Sequence, residues 1–158
     1  MAKERPLAVI TGASSGIGAD LARCAAADGY DTLLIARRAA RLAALAEELP
    51  GTAHIMALDV AQPRPGEAVL TKLAELGLDA DVLINNAGFV QTGLIAEIDR
   101  DIQTGMVDVN VRAGVDLAAA LVPPMLRAGR GGIINVGSTA AFQPGPTLAV
   151  YYATKAFV

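Results

Sequence analysis

Leu7-Ala8-Val9-Ile10-Thr11 runs directly into Gly12-Ala13-Ser14-Ser15-Gly16-Ile17-Gly18, and this junction decides the fold. The first run is apolar, too short for a helix and β-branched towards its end, which predicts a buried strand. The glycines follow, and after them Ile17, Leu21, Cys24 and Ala25 recur at helical spacing, predicting a helix that closes at Asp28-Gly29. Glycines between a strand and a helix let backbone amides approach an anion, and the helix N-terminus adds partial positive charge. The spacing Gly-x-x-x-Gly-x-Gly differs from Gly-x-Gly-x-x-Gly, and no Gly-Lys-Ser/Thr follows to make a P-loop. The bland alternative is a tight turn with no ligand.

Outward from this junction the chain alternates. Asp31 to Ala36, Ala53 to Leu58, Asp81 to Asn85 and Ile133 to Val136 read as strands. Ala39 to Leu49, Glu67 to Leu76, Asp101 to Leu126 and Ala149 onward read as helices. Pro123-Pro124 is expected to end or kink the long helix. Continuous apolar strands alternating with helices predict an α/β, doubly wound parallel sheet of Rossmann type, with residues 1–158 as one dinucleotide-binding domain.

Composition narrows the function. The net charge is −3 and no basic cluster occurs, which argues against a nucleic-acid surface. The apolar runs are broken by charge or glycine, so no membrane span is expected, and the first residues lack the pattern of a signal peptide. Cys24 is the only cysteine, which suits a reducing cytoplasm. His54 is the only histidine and has no neighbours at metal-ligand spacing, so no metal is expected.

Several residues carry possible chemistry. Dinucleotide binders that hold a ribose 2′-hydroxyl place an acid at the end of the second strand. Here Ala36-Arg37-Arg38 stand there, with Asp31 at the opposite end. Two guanidiniums suit a 2′-phosphate, pointing to NADP rather than NAD; alternatively they begin a solvated helix face. Asn85-Asn86-Ala87-Gly88 ends the fourth strand, at the sheet edge where such folds bind ligands. Tyr151 and Lys155 are four apart, hence on one helical face. An ammonium one turn from a phenol stabilises the phenolate, which makes the pair a proton-transfer device. Ser138 could offer a hydroxyl to the same substrate atom.

Thr-Gly-x-x-x-Gly-Ile-Gly at 11–18, Asn-Asn-Ala-Gly at 85–88, Asn110, Ser138 and Tyr-x-x-x-Lys at 151–155 occur in one order. As a set they resemble the core branch of the short-chain dehydrogenase/reductase family along the whole chain. The resemblance implies an NADP-dependent oxidoreductase moving a hydride between nicotinamide and a small carbonyl or alcohol. The alternative is a non-catalytic nucleotide-binding or structural protein on the same fold. Implied roles are Tyr151 as acid/base and Lys155 as its support and a partner of the nicotinamide ribose. Ser138 would polarise the carbonyl, and Asn110 would hold a water in a relay to Lys155. Gly12, Ser14, Ser15, Gly16, Ile17 and Gly18 would cradle the pyrophosphate. Asp59 and Val60 would border adenine, and Asn86, Ala87 and Gly88 the adenosine ribose. Arg37 and Arg38 match the NADP pattern, while position 15, often basic in NADP users, is Ser15. The family continues past this last helix, so the chain is expected to be a C-terminally incomplete form of a homo-oligomer, with its fifth strand an exposed edge. Phe89, Val90, Ala140 and Phe142 are candidates for the substrate wall or for the core.

Overall fold

The computed structural model describes residues 5–158; the expected lead-in at residues 1–4 lies outside the described residues. Five parallel strands form one sheet in the order β3-β2-β1-β4-β5. They are β1 Leu7–Thr11, β2 Asp31–Ala36, β3 Ala53–Ala57, β4 Val82–Asn85 and β5 Gly132–Asn135. The helices are α1 Gly16–Ala27, α2 Ala39–Glu48, α3 Pro65–Leu76, α4 Arg100–Val107, α5 Ala113–Ala128 and α6 Ala149–Phe157. The expected doubly wound architecture is what the chain adopts.

β1, β2 and the middle of β4 are buried on both faces, their alternation dividing them between two cores, while the edge strands β3 and β5 are partly exposed. Leu7, Val9, Leu33, Ile35 and Leu83 face Val69 and Leu73 of α3 and Leu117 and Leu121 of α5. Ala8, Ile10, Leu34, Ala36 and Ile84 face Ala19, Ala22 and Ala26 of α1 and Leu42 and Leu45 of α2. The strand order reverses between β1 and β4, so connections leave these neighbours towards opposite faces and a crevice opens beyond their C-terminal ends. Both the glycine loop and Asn86-Ala87-Gly88 emerge there.

Four local expectations need correction. In α1 the buried stripe is Gly18, Ala19, Ala22 and Ala26, one residue out of phase with the expected one. Ile17 is 62% exposed and Cys24 is exposed, because α1 lies so close to the sheet that only small side chains fit beneath it. Second, α3 begins at Pro65 rather than Glu67; proline suits a first helical turn, where its missing N–H is no loss. Third, Pro123 and Pro124 do not end α5, which continues to Ala128 and stops at Gly129 with φ 65°. Leu121 and Met125, buried on either side of the prolines, hold that turn against the core. Fourth, the long helix is interrupted by a π-helical turn, Asp108–Arg112. The helical run Arg100–Ala128 is, by length and composition, able to cross a membrane. Here Leu117, Leu121 and Met125 of that run are buried in the sheet's core.

Candidate active site

Beyond the crevice lie two neighbouring cavities that share Gly12, Ser15, Ala87, Gly88 and Phe89. One, of about 630 Å³, extends to Arg37, Arg38 and Asp59-Val60-Ala61. The other, of about 310 Å³, extends past Ile17 and Gly18 to Val136, Gly137, Tyr151 and Lys155. The glycine loop sits between them. The groove thus has two lobes with a helix N-terminus at its centre, a shape that suits a dinucleotide.

The loop itself shows why glycines are required. A Cβ on Gly18 would lie 2.4 Å from the Gly12 carbonyl oxygen and 2.4 Å from Asn86 Nδ2, so α1 could not start so close to the loops after β1 and β4 with any side chain there. Gly16 has φ +56° and open space around its absent side chain, leaving the first turn of α1 accessible. Ser15 occupies the N-cap position but makes no capping bond. Instead its Oγ accepts from Arg38 Nη2 at 2.8 Å, and Ser14 Oγ accepts from Arg38 Nη2 at 2.8 Å and Nε at 3.2 Å. Arg38 therefore clasps the loop from the end of β2, while Arg37 stands exposed beside it. Asp59 closes its own turn by accepting from Ala61 N at 3.0 Å, and Val60 is buried against the core while lining the groove.

Thr11, which sequence reasoning used only as part of a motif, fastens the two loops together. Its buried Oγ1 accepts from Asn86 N at 3.1 Å and Ala87 N at 3.0 Å and donates to Ile84 O at 3.3 Å. Asn86 Nδ2 returns a bond to Thr11 O at 2.9 Å.

At the other lobe, Tyr151 and Lys155 lie on one face of α6 as the spacing requires. Lys155 is 8% exposed; its Nζ donates to Val136 O at 2.8 Å and stands 5.9 Å from the centre of the Tyr151 ring. A buried ammonium needs such a partner, and one carbonyl leaves two N–H groups free. Ser138 caps the short 3-10 turn Thr139–Phe142, its Oγ accepting from Ala140 N at 3.1 Å. It makes no direct hydrogen bond to Tyr151 among the described residues. Of the candidate wall residues, Phe89 and Val90 line the groove, Ala140 is buried, and Phe142 is 91% exposed.

Asn110 is held in place by its side chain. It is buried at the π-helical turn, where its Oδ1 accepts from Phe89 N at 3.0 Å. Its Nδ2 donates to Phe89 O at 3.0 Å and to Thr154 Oγ1 at 3.1 Å. Both amide protons are taken, and the side chain ties the loop after β4 to α6. Thr154, which carried no sequence signal of its own, completes the tie by donating to Tyr151 O at 2.8 Å.

The comparisons agree with this fold. The family model for short chain dehydrogenases matches residues 6–158. A very-long-chain 3-oxoacyl-CoA reductase of Coprinopsis cinerea is 37% identical over 99% of this chain and 48% of its own length. A sulfoacetaldehyde reductase of Chromohalobacter salexigens is 42% identical over 94% of this chain and 60% of its own. A short-chain dehydrogenase from Sphingobium yanoikuyae, solved in complex with NADPH, superposes with a TM-score of 0.88 at 38% identity, covering 97% of this chain and 61% of that one. The chain thus spans about half to three-fifths of these relatives' lengths, and with its fold, its groove and its Tyr-x-x-x-Lys helix it belongs to the short-chain dehydrogenase family.

Proposed function

We propose that this protein binds NADP(H) and serves hydride transfer to or from the carbon of a small carbonyl or alcohol, with Tyr151 as the acid/base. The observation that carries this reading is the placement of buried Lys155, beside Tyr151, on the wall of the same groove that the glycine loop enters. The bound nicotinamide supplies the hydride. In the reducing direction, negative charge develops on the substrate oxygen. The Tyr151 hydroxyl donates its proton there, and Lys155 stabilises the phenolate that remains. Ser138 accepts from a backbone N–H, so its own hydroxyl proton remains free to donate to the same oxygen.

Arg38 supports the choice of NADP. Held by Ser14 and Ser15, its guanidinium is fixed at the end of the groove where the loop meets β2, and together with Arg37 it presents positive charge suited to a 2′-phosphate. Phe89 and Val90 give the substrate side an apolar wall. Self-association fits the exposed Val107, Val115, Leu126 and Phe157 of α4, α5 and α6, and a cytoplasmic setting suits the free Cys24. Titration with the two reduced cofactors tests the reading: NADPH is expected to bind about tenfold or more tighter than NADH, the worth of a charge-assisted contact or more. Equal affinities would remove the arginines from the role.

A further inference from the structure

The connection after β3 walls the larger lobe of the groove: Asp59, Val60 and Ala61 line its cavity of about 630 Å³. Two of its N–H groups are used locally. Ala61 N donates to Asp59 Oδ1 at 3.0 Å and Gln62 N to Asp59 O at 3.0 Å. The carbonyls of Ala61 and Gln62 are instead taken by Arg112, 51 and 50 residues further along the chain. Arg112 Nη1 donates to Gln62 O at 3.3 Å and Nη2 to Ala61 O, while Nε donates to Asp108 Oδ1 at 2.8 Å.

A guanidinium presents its donors in a rigid, planar fork, so one side chain can fix two successive carbonyls in one orientation. Asp108 holds the fork in turn, from the opposite end of the π-helical turn Asp108–Arg112. The same turn also acts on the other lobe. Asn110, two residues before Arg112, is buried and bonds the Phe89 backbone and Thr154. Residues two apart on a helical turn do not share a face, so the turn reaches in two directions at once. Its Val109 lines the larger lobe together with Val60.

We propose that Arg112 is a positioning residue for the adenine side of the groove: its guanidinium holds the 59–62 loop in register with the π-helical turn, and so with the wall that carries Phe89. Arg112 is not among the residues lining the cavity, so it acts on a bound nucleotide through the loop. The adenine assignment rests on the NADP(H) reading, but the clamp on the loop does not.

The test titrates the full chain with the two halves of the cofactor, adenosine 2′,5′-bisphosphate and reduced nicotinamide mononucleotide. In Arg112→Met the adenosine half is expected to bind about tenfold more weakly and the nicotinamide half as before. Unchanged affinity for the adenosine half, or equal losses for both halves, overturns the role; the latter outcome would make Arg112 a support of the whole groove. Arg112→Lys keeps the charge but not the fork, and its affinity for the adenosine half should stay about threefold or more below that of the unsubstituted protein. Full recovery would assign the effect to charge alone and overturn the clamp. Should Arg112→Met not fold, Arg112→Lys decides by the same titration. If the unsubstituted protein binds neither NADPH nor its halves, the NADP(H) reading fails. Amide hydrogen exchange at Ala61 and Gln62 then decides the clamp: it is expected to be about tenfold faster in the variants, and an unchanged rate overturns it.

Discussion

Arg38 reaches back from the end of β2 to hold both Ser14 and Ser15, so one side chain links the loop and the strand end. Replacing Arg37 and Arg38 together by Ala should weaken NADPH by about 2–3 kcal/mol, the range for charge-assisted bonds, and NADH far less. Competition binding with both cofactors checks this, and equal losses contradict it. Thr147 is a different case. It is β-branched yet adopts φ +66°, in the loop that precedes α6, where its carbonyl accepts from Gly93 N at 2.9 Å. Left-handed backbone at such a residue costs of order 1–3 kcal/mol. Thr147→Gly should therefore raise stability by about 1 kcal/mol in denaturant unfolding after glycine's entropy cost, and a loss would show that the strain is absent. At this scale the sequence showed which side chains carry chemistry. It did not show how Asn110 is used, because its partners Phe89 and Thr154 lie 21 and 44 residues away.

Among the elements, the π-helical turn Asp108–Arg112 matters most to the site. The extra residue in that turn accompanies Asn110's inward position, from which it grips the Phe89 backbone and Thr154. Asn110→Leu should remove three hydrogen bonds and lower stability by about 2–3 kcal/mol, measured as a shift in the denaturant midpoint. An unchanged midpoint would mean that the turn stands without its amide. Helical periodicity made the long helix legible but gave no sign of this interruption. For α1, Ile17 and Cys24 suggested a stripe, whereas close packing on the sheet selected Gly18, Ala19, Ala22 and Ala26. Where turn chemistry spoke, as at Asp28-Gly29, the end of the element met expectation, α1 stopping at Ala27.

For the molecule as a whole, the doubly wound sheet was readable because its strands are apolar throughout and bounded by helices. The strand order was not, since pairing across the sheet leaves no local mark. Yet that order makes the site. With β1 and β4 adjacent, residues 75 positions apart meet at Thr11 and Asn86, and the groove runs from Arg38 on one side to Tyr151 on the other. The central claim is that this groove holds NADPH so that Tyr151 can protonate a carbonyl as it accepts hydride. Its most direct test follows NADPH consumption against a panel of neutral ketones and aldehydes, comparing the protein with Tyr151→Phe. The account predicts turnover by the unsubstituted protein. It also predicts a loss of about 10²–10⁴-fold or more in the variant, which still binds NADPH with unchanged affinity. NADPH binding without consumption by either form, or equal turnover by both, would contradict it.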